Sequence, residues 1–301
     1  MSIGILYESI EWSNDQLAKY LNKSGIKTEL INLEKDSIDL DSILKNKLIV
    51  NRIFPSAPFR GYKKSYKLAM SIFGIIYDYN IPMINSYKSY QYDCSKVSTS
   101  YTLNNNNLPT PKIYALFQGS INISDYKICY PCILKPDCGG RSKNTFILRN
   151  KKELESALEK IPEVPFIIQK YIYPEKEFTT RVEIIDNKII TILKRYIGKG
   201  NLSGYHSGSK YEDYSDCPER IIKASKQSLE CLNIEMGSLD IIETKESEFY
   251  IIDVNATSNF SEDNIEMLGF DPIEKMANYI SKKYNELIWL KIIIGGKNEK
   301  Y

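Results

Sequence analysis

The stretch with the clearest chemical content runs from Met236 to Phe260, where two short β-rich runs flank a charged turn. The first run contains Asp240, and the second contains Asp253 and Asn255. Successive side chains of a strand point to opposite faces, so Asp253 and Asn255 share a face, which Asp240 joins if the runs pair as a hairpin. Such oxygen ligands suit Mg²⁺, which takes its remaining ligands from water and phosphates. A solvated hairpin explains this stretch equally well when it is taken alone.

A second candidate lies at the end of an apolar run, C-I-L-K, where Lys135 is followed by a turn that contains Gly139, Gly140 and Ser142. Glycines let backbone N–H groups approach a polyphosphate closely, and the serine adds a hydroxyl. A lysine on a buried strand needs an anionic partner. The motif is weak alone because glycine turns often follow strands, and the order of residues is not that of a Walker loop.

Four basic or imidazole side chains are further candidates. Arg195 ends an apolar strand, a position from which it can clamp a transferring phosphoryl group. Arg52 and Arg60 lie in a proline loop after the third predicted strand, where they either bind a carboxylate or phosphate or are ordinary surface arginines. His206, the single histidine, lies in a glycine-serine loop. It either contacts a substrate and removes a proton from an amine, or it is a solvated loop residue.

Apolar periodicity predicts a β-α-β unit at the start of the chain and an antiparallel part after it. The short links of the first unit indicate a parallel sheet with helices packed against it. The predicted strands are 3–7, 28–33, 47–53, 81–85, 112–117, 131–135, 145–149, 166–172, 178–186 and 188–197, followed by the hairpin described above. The predicted helices are 13–23, 62–79, 94–104, 151–160, 217–232 and 271–284.

Composition narrows the class of protein. The 301 residues are 43% hydrophobic and 26% charged with a net charge of +2, which gives no reason to expect nucleic acid or a membrane surface as a partner. No apolar run reaches the length of about 18 residues that a membrane helix needs, and no signal peptide is visible, so we expect a cytoplasmic protein. The pair Cys129 and Cys132 lacks the further ligands of a zinc site, and buried or incidental thiols are the favoured interpretation.

Taken in order, these features resemble the ATP-grasp superfamily, and most of all its branch of ribosomal-protein glutamate ligases and related amino-acid and peptide ligases. The resemblance spans essentially the whole chain and is strongest over 81–260. Its further motif residues are Ile81, Pro82, Asn85, Lys96, Leu108, Pro109, Pro111, Lys135, the strand Gln169–Ile172, Arg181 and Arg195. The chain departs from the family pattern at Asp253, where Glu is common, at Lys170, where Glu is common, and at Cys94-Ser95, where Arg or Asp usually precedes the lysine.

The resemblance implies a mixed α/β and α+β architecture. Two α+β subdomains that clasp ATP are expected at 86–165, which contains the phosphate loop, and at 166–290, which contains the metal site. A small Rossmann-like domain with a parallel sheet is expected at 1–85, and a tail at 291–301.

The resemblance also implies roles for individual residues. Asp240, Asp253 and Asn255 would hold Mg²⁺, with Mn²⁺ as a substitute. Arg195 would stabilise the transferring γ-phosphoryl group, and Arg181 would be a second catalytic residue. The nucleotide-binding residues would be Lys96, Lys135, Gly139, Gly140, Ser142, Gln169, Lys170, Tyr171, Ile172 and, on the ribose, Glu177.

The expected reaction is ATP-dependent ligation of a carboxylate to an amine through an acylphosphate, with ADP and phosphate as products. The amine would belong to an amino acid, a peptide or a protein, and the sequence does not choose among them. Two alternatives stay open at this point: an ATP-grasp kinase that phosphorylates a small alcohol, and a non-catalytic nucleotide-binding protein. Self-association is also left open.

Overall fold

The structure is a computed structural model and describes residues 1–140, 143–198, 210–245 and 248–298. Its contacts divide the chain into two units, one formed by Met1–Tyr87 with the chain from Thr257 onward, and the other by Lys88–Ala256. None of the described helices is both long enough and apolar enough to span a membrane. The subdomain bounds given above stay predictions.

The described strands and helices follow one another along the chain as the periodicity predicts, with some additions. The strands are β1 Ile3–Tyr7, β2 Thr28–Asn32, β3 Leu48–Arg52, β4 Met83–Ile84, β5 Ile113–Phe117, β6 Cys132–Pro136, β7 Phe146–Leu148, β8 Phe166–Lys170, β9 Phe178–Ile185, β10 Lys188–Tyr196, β11 Tyr211–Asp213, β12 Met236–Glu243 and β13 Phe249–Asn255. The helices are α1 Trp12–Lys23, α2 Leu40–Leu44, α3 Lys63–Asp78, α4 Tyr87–Asp93, α5 Lys96–Asn105, α6 Lys151–Leu158, α7 Glu219–Cys231, α8 Asp263–Leu268 and α9 Pro272–Asn298. Short 3-10 turns lie at Ala57–Arg60 and Ile123–Asp125.

The first unit is built on a parallel sheet with the strand order β2-β1-β3-β4. The strands β1 and β3 are almost wholly buried, which is typical of central strands covered on both faces. The prediction of a parallel N-terminal sheet is therefore confirmed. The predicted end of the last helix at 284 is wrong, because α9 continues to Asn298.

The second unit contains two antiparallel sheets. The four-stranded sheet has the order β5-β8-β6-β7 and packs α6 against its apolar side chains. The five-stranded sheet has the order β11-β10-β9-β12-β13. The helix predicted at 94–104 is confirmed as α5, which Ser95 caps with its extended backbone and side chain, and the structure adds the short helix α4 before it.

Alternation along the five-stranded sheet separates its core from its polar face. Val182 and Ile184 of β9 and Leu239 and Ile241 of β12 are buried in one cluster with apolar residues of α7. The residues between them, such as Asp240, therefore point to the opposite face. This apolar packing fixes the strands that present the polar face.

Gly237 of β12 has no room for a side chain. A Cβ atom at this position would lie 2.6 Å from the backbone oxygen of Asn255 and 2.6 Å from Cγ2 of Ile234. Because a backbone oxygen cannot move aside cheaply, we predict that Gly237→Ala lowers the free energy of unfolding by about 1–3 kcal/mol.

Urea unfolding measures this effect, and Gly74→Ala in α3 is the matched control. A Cβ at Gly74 meets no atom within 4 Å. That control should raise the free energy of unfolding by about 0.5–1 kcal/mol, the usual gain for Ala over Gly in a helix. A Gly237→Ala protein as stable as the wild type would contradict the close packing of β12 on the end of β13.

Candidate active site

The polar face of the five-stranded sheet carries two adjacent rows of functional side chains. In the first row Arg181 of β9 lies opposite Asp240 of β12, which lies opposite Asp253 of β13. In the next row Ser238 lies between Glu183 and Asn255. Directly opposite residues have Cβ atoms about 4.5–5.5 Å apart, so the structure brings the three predicted metal ligands together on one face.

Asp240 is buried and is held by two arginines. Its Oδ2 accepts a hydrogen bond from Nη2 of Arg195 at 2.7 Å, and its Oδ1 accepts one from Nη1 of Arg181 at 3.3 Å. Burial alone would raise the pKa of Asp240, but the charges and hydrogen bonds of both arginines outweigh burial and lower it. The carboxyl group is therefore ionised at neutral pH.

Asp253 pairs with a lysine that comes from the start of α5. Nζ of Lys96 donates to Oδ1 of Asp253 at 2.9 Å. Burial alone would lower the pKa of Lys96, but the charge of Asp253 and this hydrogen bond raise it. The helix start is fixed by Asp137, whose backbone oxygen accepts from the Lys96 amide at 3.1 Å and whose Oδ1 accepts from the Val97 amide at 2.9 Å. Residues 157 positions apart in the chain thus form one ion pair.

Lys135 reaches the same strand from the four-stranded sheet. The register of β12 and β13 shifts at one place, because Asp240 pairs with Asp253 and Ile241 pairs with Ile251. Ile252 is the extra residue of this β-bulge, and its carbonyl accepts a hydrogen bond from Nζ of Lys135 at 3.4 Å. Burial, with repulsion from Lys96, lowers the pKa of Lys135 to about 8.

The motif strand Gln169–Ile172, predicted to bind the nucleotide, has some residues held by the fold and others that are partly or fully exposed. Gln169 is buried, and its side-chain amide donates to the Pro111 carbonyl at 3.2 Å. The backbone amide of Lys170 donates to the Lys112 carbonyl at 2.8 Å, so the strand end is tied to the chain before β5. Tyr171 is half-buried and packs edge-on against Tyr173, Ile172 is buried, and Glu177 is exposed.

Arg52 and Arg60 are occupied by partners inside the first unit. Arg60 forms ion pairs with Glu8 and Glu11. Arg52 is fully buried, and its guanidinium donates to four acceptors, which are Oδ1 of Asn14, Oγ of Ser13, Oδ1 of Asn259 and the carbonyl of Ser258. Their roles as substrate contacts stay predictions.

The predicted phosphate loop is described only in part. Gly139 and Gly140 follow β6 and are half-buried. Ser142 and His206 lie outside the described residues. The thiol of Cys138, directly before the glycines, is hydrogen-bonded to that of Cys94, and all six cysteines are free.

Two acidic residues of this region were not singled out from the sequence. Glu183 is buried and accepts from Nε of Arg181 at 2.8 Å, and its position two residues after Arg181 in a strand was a usable signal. Asp93 at the end of α4 is buried, and burial with repulsion from Asp253 raises its pKa to about 8. No local pattern points to Asp93, because it approaches β13 only through tertiary packing.

Comparison with protein-family models gives a match over 94–258, to the family described as "ATP-grasp domain". The match covers more than half of the chain and includes the charged residues around β13, which are Lys96, Lys135, Arg181, Arg195, Asp240 and Asp253. The chain belongs to the ATP-grasp domain family. The prediction of a carbon–nitrogen ligase of this superfamily is thereby confirmed at the level of the family.

Individual ATP-grasp proteins resemble the chain over different lengths. Tetrahydromethanopterin:alpha-L-glutamate ligase of Methanocaldococcus jannaschii is 26% identical over 220 residues, which are 66% of this chain and 72% of that protein. The crystal structure of a RimK domain ATP-grasp protein from Sphaerobacter thermophilus has a TM-score of 0.70 at 14% identity, over 93% of this chain and 99% of that one. D-alanine–D-alanine ligase of Bacillus anthracis has a TM-score of 0.71 at 18% identity, over 95% and 99%. The two structures confirm the predicted fold.

The oxygen ligands of this ATP-grasp protein suit a metal ion that takes its remaining ligands from water and phosphate. Among the described residues no group of three or more His, Cys, Asp or Glu side chains is close enough to hold a metal ion. Asp240 and Asp253 offer two carboxylates, and Asn255 adds an amide oxygen on the same face. One or two carboxylates completed by water and phosphate are the usual ligands of Mg²⁺, so these residues suit it when a nucleotide is present.

The pairing of Asp240 with two arginines generates a stability prediction. Asp240→Asn removes the negative charge that neutralises two buried arginines. We expect it to lower the free energy of unfolding by about 3–5 kcal/mol at pH 7. Because Arg195 and Arg181 lower the pKa of Asp240 in the folded chain, its stabilisation is complete above the unfolded carboxyl pKa of about 4. It is lost as the pH falls through the folded pKa, so the difference between the two proteins should shrink in acid.

Urea unfolding at several pH values checks this, with Glu212→Gln as the control. Glu212 pairs with Lys194 in the same sheet but is exposed, so its replacement should change stability little at any pH. Equal effects of the two substitutions at pH 7 would show that Asp240 is not the buried counter-ion of these arginines.

Proposed function

We propose that this ATP-grasp protein joins a carboxylate to an amine at the expense of ATP, by way of an acylphosphate. The observation that carries the proposal is the convergence at β13 of Lys96 and Lys135 on a face where Asp240 and Asp253 stand in register with Arg181. Cations for a polyphosphate and oxygen ligands for a divalent metal on one rigid surface are what phosphoryl transfer needs from a protein.

In the proposed reaction a carboxylate oxygen of the substrate attacks the γ-phosphorus of ATP, and ADP leaves. The amine nitrogen then attacks the acyl carbon, inorganic phosphate leaves, and the nitrogen loses a proton. Each step moves negative charge onto phosphate oxygens. Positively charged groups fixed in a buried site stabilise that charge more strongly than water does.

We assign the nucleotide contacts as follows. Lys96 and Lys135 hold the phosphates, with the backbone around Gly139 and Gly140 and the hydroxyl of Ser142. The backbone of Lys170 and Ile172 contacts the base, next to Tyr171, and Glu177 binds the ribose. The side chain of Gln169 serves the fold, since it is buried against Pro111.

Arg195 is assigned to the transferring phosphoryl group, and Arg181 to holding Asp240. Arg181 is bound on two sides, by Glu183 and Asp240, whereas among the described carboxylates Arg195 pairs with Asp240. Asp240, Asp253 and Asn255 would hold Mg²⁺, which supplies charge neutralisation of the phosphate oxygens.

For the amine we propose an amino acid, either free or within a peptide or protein. Support comes from the names of the two ligases above, which include glutamate and D-alanine. An enzyme that consumes ATP needs a compartment that supplies it, and we propose the cytoplasm.

The reaction is tested by incubating the protein with ATP, Mg²⁺ and pools of amino acids and carboxylates, with mass spectrometry of the products. We expect ADP, phosphate and an amide, and in the presence of hydroxylamine a hydroxamate, because an acylphosphate reacts with hydroxylamine. The variant Asp253→Ala/Asn255→Ala should lose turnover by about 100-fold or more.

Asp213→Asn, an exposed carboxylate of β11 in the same sheet, serves as the control and should keep full turnover. A phosphorylated alcohol as the product would identify a kinase instead of a ligase. Near-normal turnover of Asp253→Ala/Asn255→Ala would overturn the assignment of the metal ligands.

A further inference from the structure

The groups assigned to metal and to phosphate are bound to each other. Asp253 accepts from Lys96 at 2.9 Å, and Asp240 accepts from Arg195 at 2.7 Å. Each pair joins one predicted metal ligand to one predicted phosphate contact. All four side chains are largely shielded from water, with the most exposed, Asp253, at 27%. The metal and the nucleotide are therefore expected to bind to side chains that already pair with a group of opposite charge.

Either ligand alone meets an unfavourable neighbour in this arrangement. A divalent cation at Asp240 and Asp253 comes close to the positive charges of Lys96 and Arg195, which weaken its binding. A polyphosphate at Lys96 and Arg195 comes close to the two carboxylates, which repel it. When both ligands bind, the metal pairs with Asp240 and Asp253, and the phosphates pair with Lys96 and Arg195, which these carboxylates release.

We infer that the carboxylates and cations of the site neutralise one another. The divalent metal and the nucleotide therefore bind synergistically, by exchanging these counter-ions. Lys96 and Arg195 pass from the carboxylates to the phosphates, and Asp253 and Asp240 pass from the cations to the metal. The inference rests on the proposed function, because it assigns the same residues to the same two ligands.

Arg181 differs from the two exchanging cations. Its Nε is bound to Glu183 at 2.8 Å while its Nη1 is bound to Asp240 at 3.3 Å. A guanidinium anchored by a second buried carboxylate stays in place when Arg195 leaves. Arg181 is thus a positioning residue that keeps Asp240 directed toward the metal throughout the exchange, and Glu183 fixes Arg181 in turn.

The experiment measures the binding of Mn²⁺ and of a non-hydrolysable ATP analogue to the whole protein, each alone and each at a saturating concentration of the other. Calorimetry or electron paramagnetic resonance of Mn²⁺ gives the affinities without any turnover. We expect each ligand to raise the affinity for the other by the same factor, within the usual range of about 5- to 150-fold.

Lys96→Met separates this exchange from a purely structural role of the lysine. The substitution frees Asp253 from its cation, so Mn²⁺ alone should bind several-fold more tightly, whereas the ATP analogue should bind more weakly. Arg195→Met should behave in the same way through Asp240, and it provides an independent variant if Lys96→Met does not fold. Lys194→Met removes an equal charge from the opposite face of β10, where Lys194 pairs with Glu212, and should leave Mn²⁺ affinity unchanged.

The outcomes distinguish the inference from the function on which it rests. If the wild-type protein binds no nucleotide at any metal concentration, the proposed function is overturned. If it binds nucleotide with a coupling factor near one, or if both variants weaken Mn²⁺ binding, the counter-ion exchange is overturned and the ligase proposal stands. Tighter Mn²⁺ binding by either variant together with weaker nucleotide binding supports the exchange.

Discussion

The carboxylate of Asp240, buried between Arg181 and Arg195, is the interaction on which the rest of the site depends. A buried charge without partners is costly, so each of these groups requires the others. The two arginines come from different strands, and Asp240 lies on the strand between β9 and β13, so the pairing fixes the order of charges across the sheet. The apolar opposite face, packed on α7, keeps the strands in register.

Long-range contacts in the second unit bring Lys96 and Lys135 to β13. The β-bulge at Ile252 exposes a carbonyl that Lys135 binds, and Lys96 enters from a helix whose start is fixed by Asp137. Charges of both signs therefore alternate over a short distance. Such a surface is well suited to a ligand pair that is itself a polyanion with a divalent cation.

Much of the scaffold followed from the sequence because strand alternation is a local property. Asp253 and Asn255 were placed on one face by spacing alone, and the hairpin put Asp240 opposite Asp253. The family was indicated by motifs in the right order. The periodicity predicts the end of the last helix at 284 and a tail from 291, whereas α9 continues to Asn298.

What the sequence could not supply is the pairing of distant charges. Nothing local connects Lys96 to Asp253 or Arg195 to Asp240, and the buried carboxyl of Asp93 has no motif. The sequence leaves Arg52 open between a ligand contact and a surface arginine of a proline loop, whereas the structure buries it at the end of β3, where its acceptors include the carbonyl of Ser258, 206 positions further along the chain. Partners of this kind are set by tertiary packing, which cannot be inferred from composition or periodicity.

The central claim, that counter-ions are exchanged on one rigid face, is tested most directly by a crystal structure of the protein with Mg²⁺ and a non-hydrolysable ATP analogue. The account predicts that the distances from Lys96 to Asp253 and from Arg195 to Asp240 exceed hydrogen-bonding range, while Arg181 stays bound to Glu183. A complex in which both pairs remain intact beside the bound nucleotide and metal would contradict it.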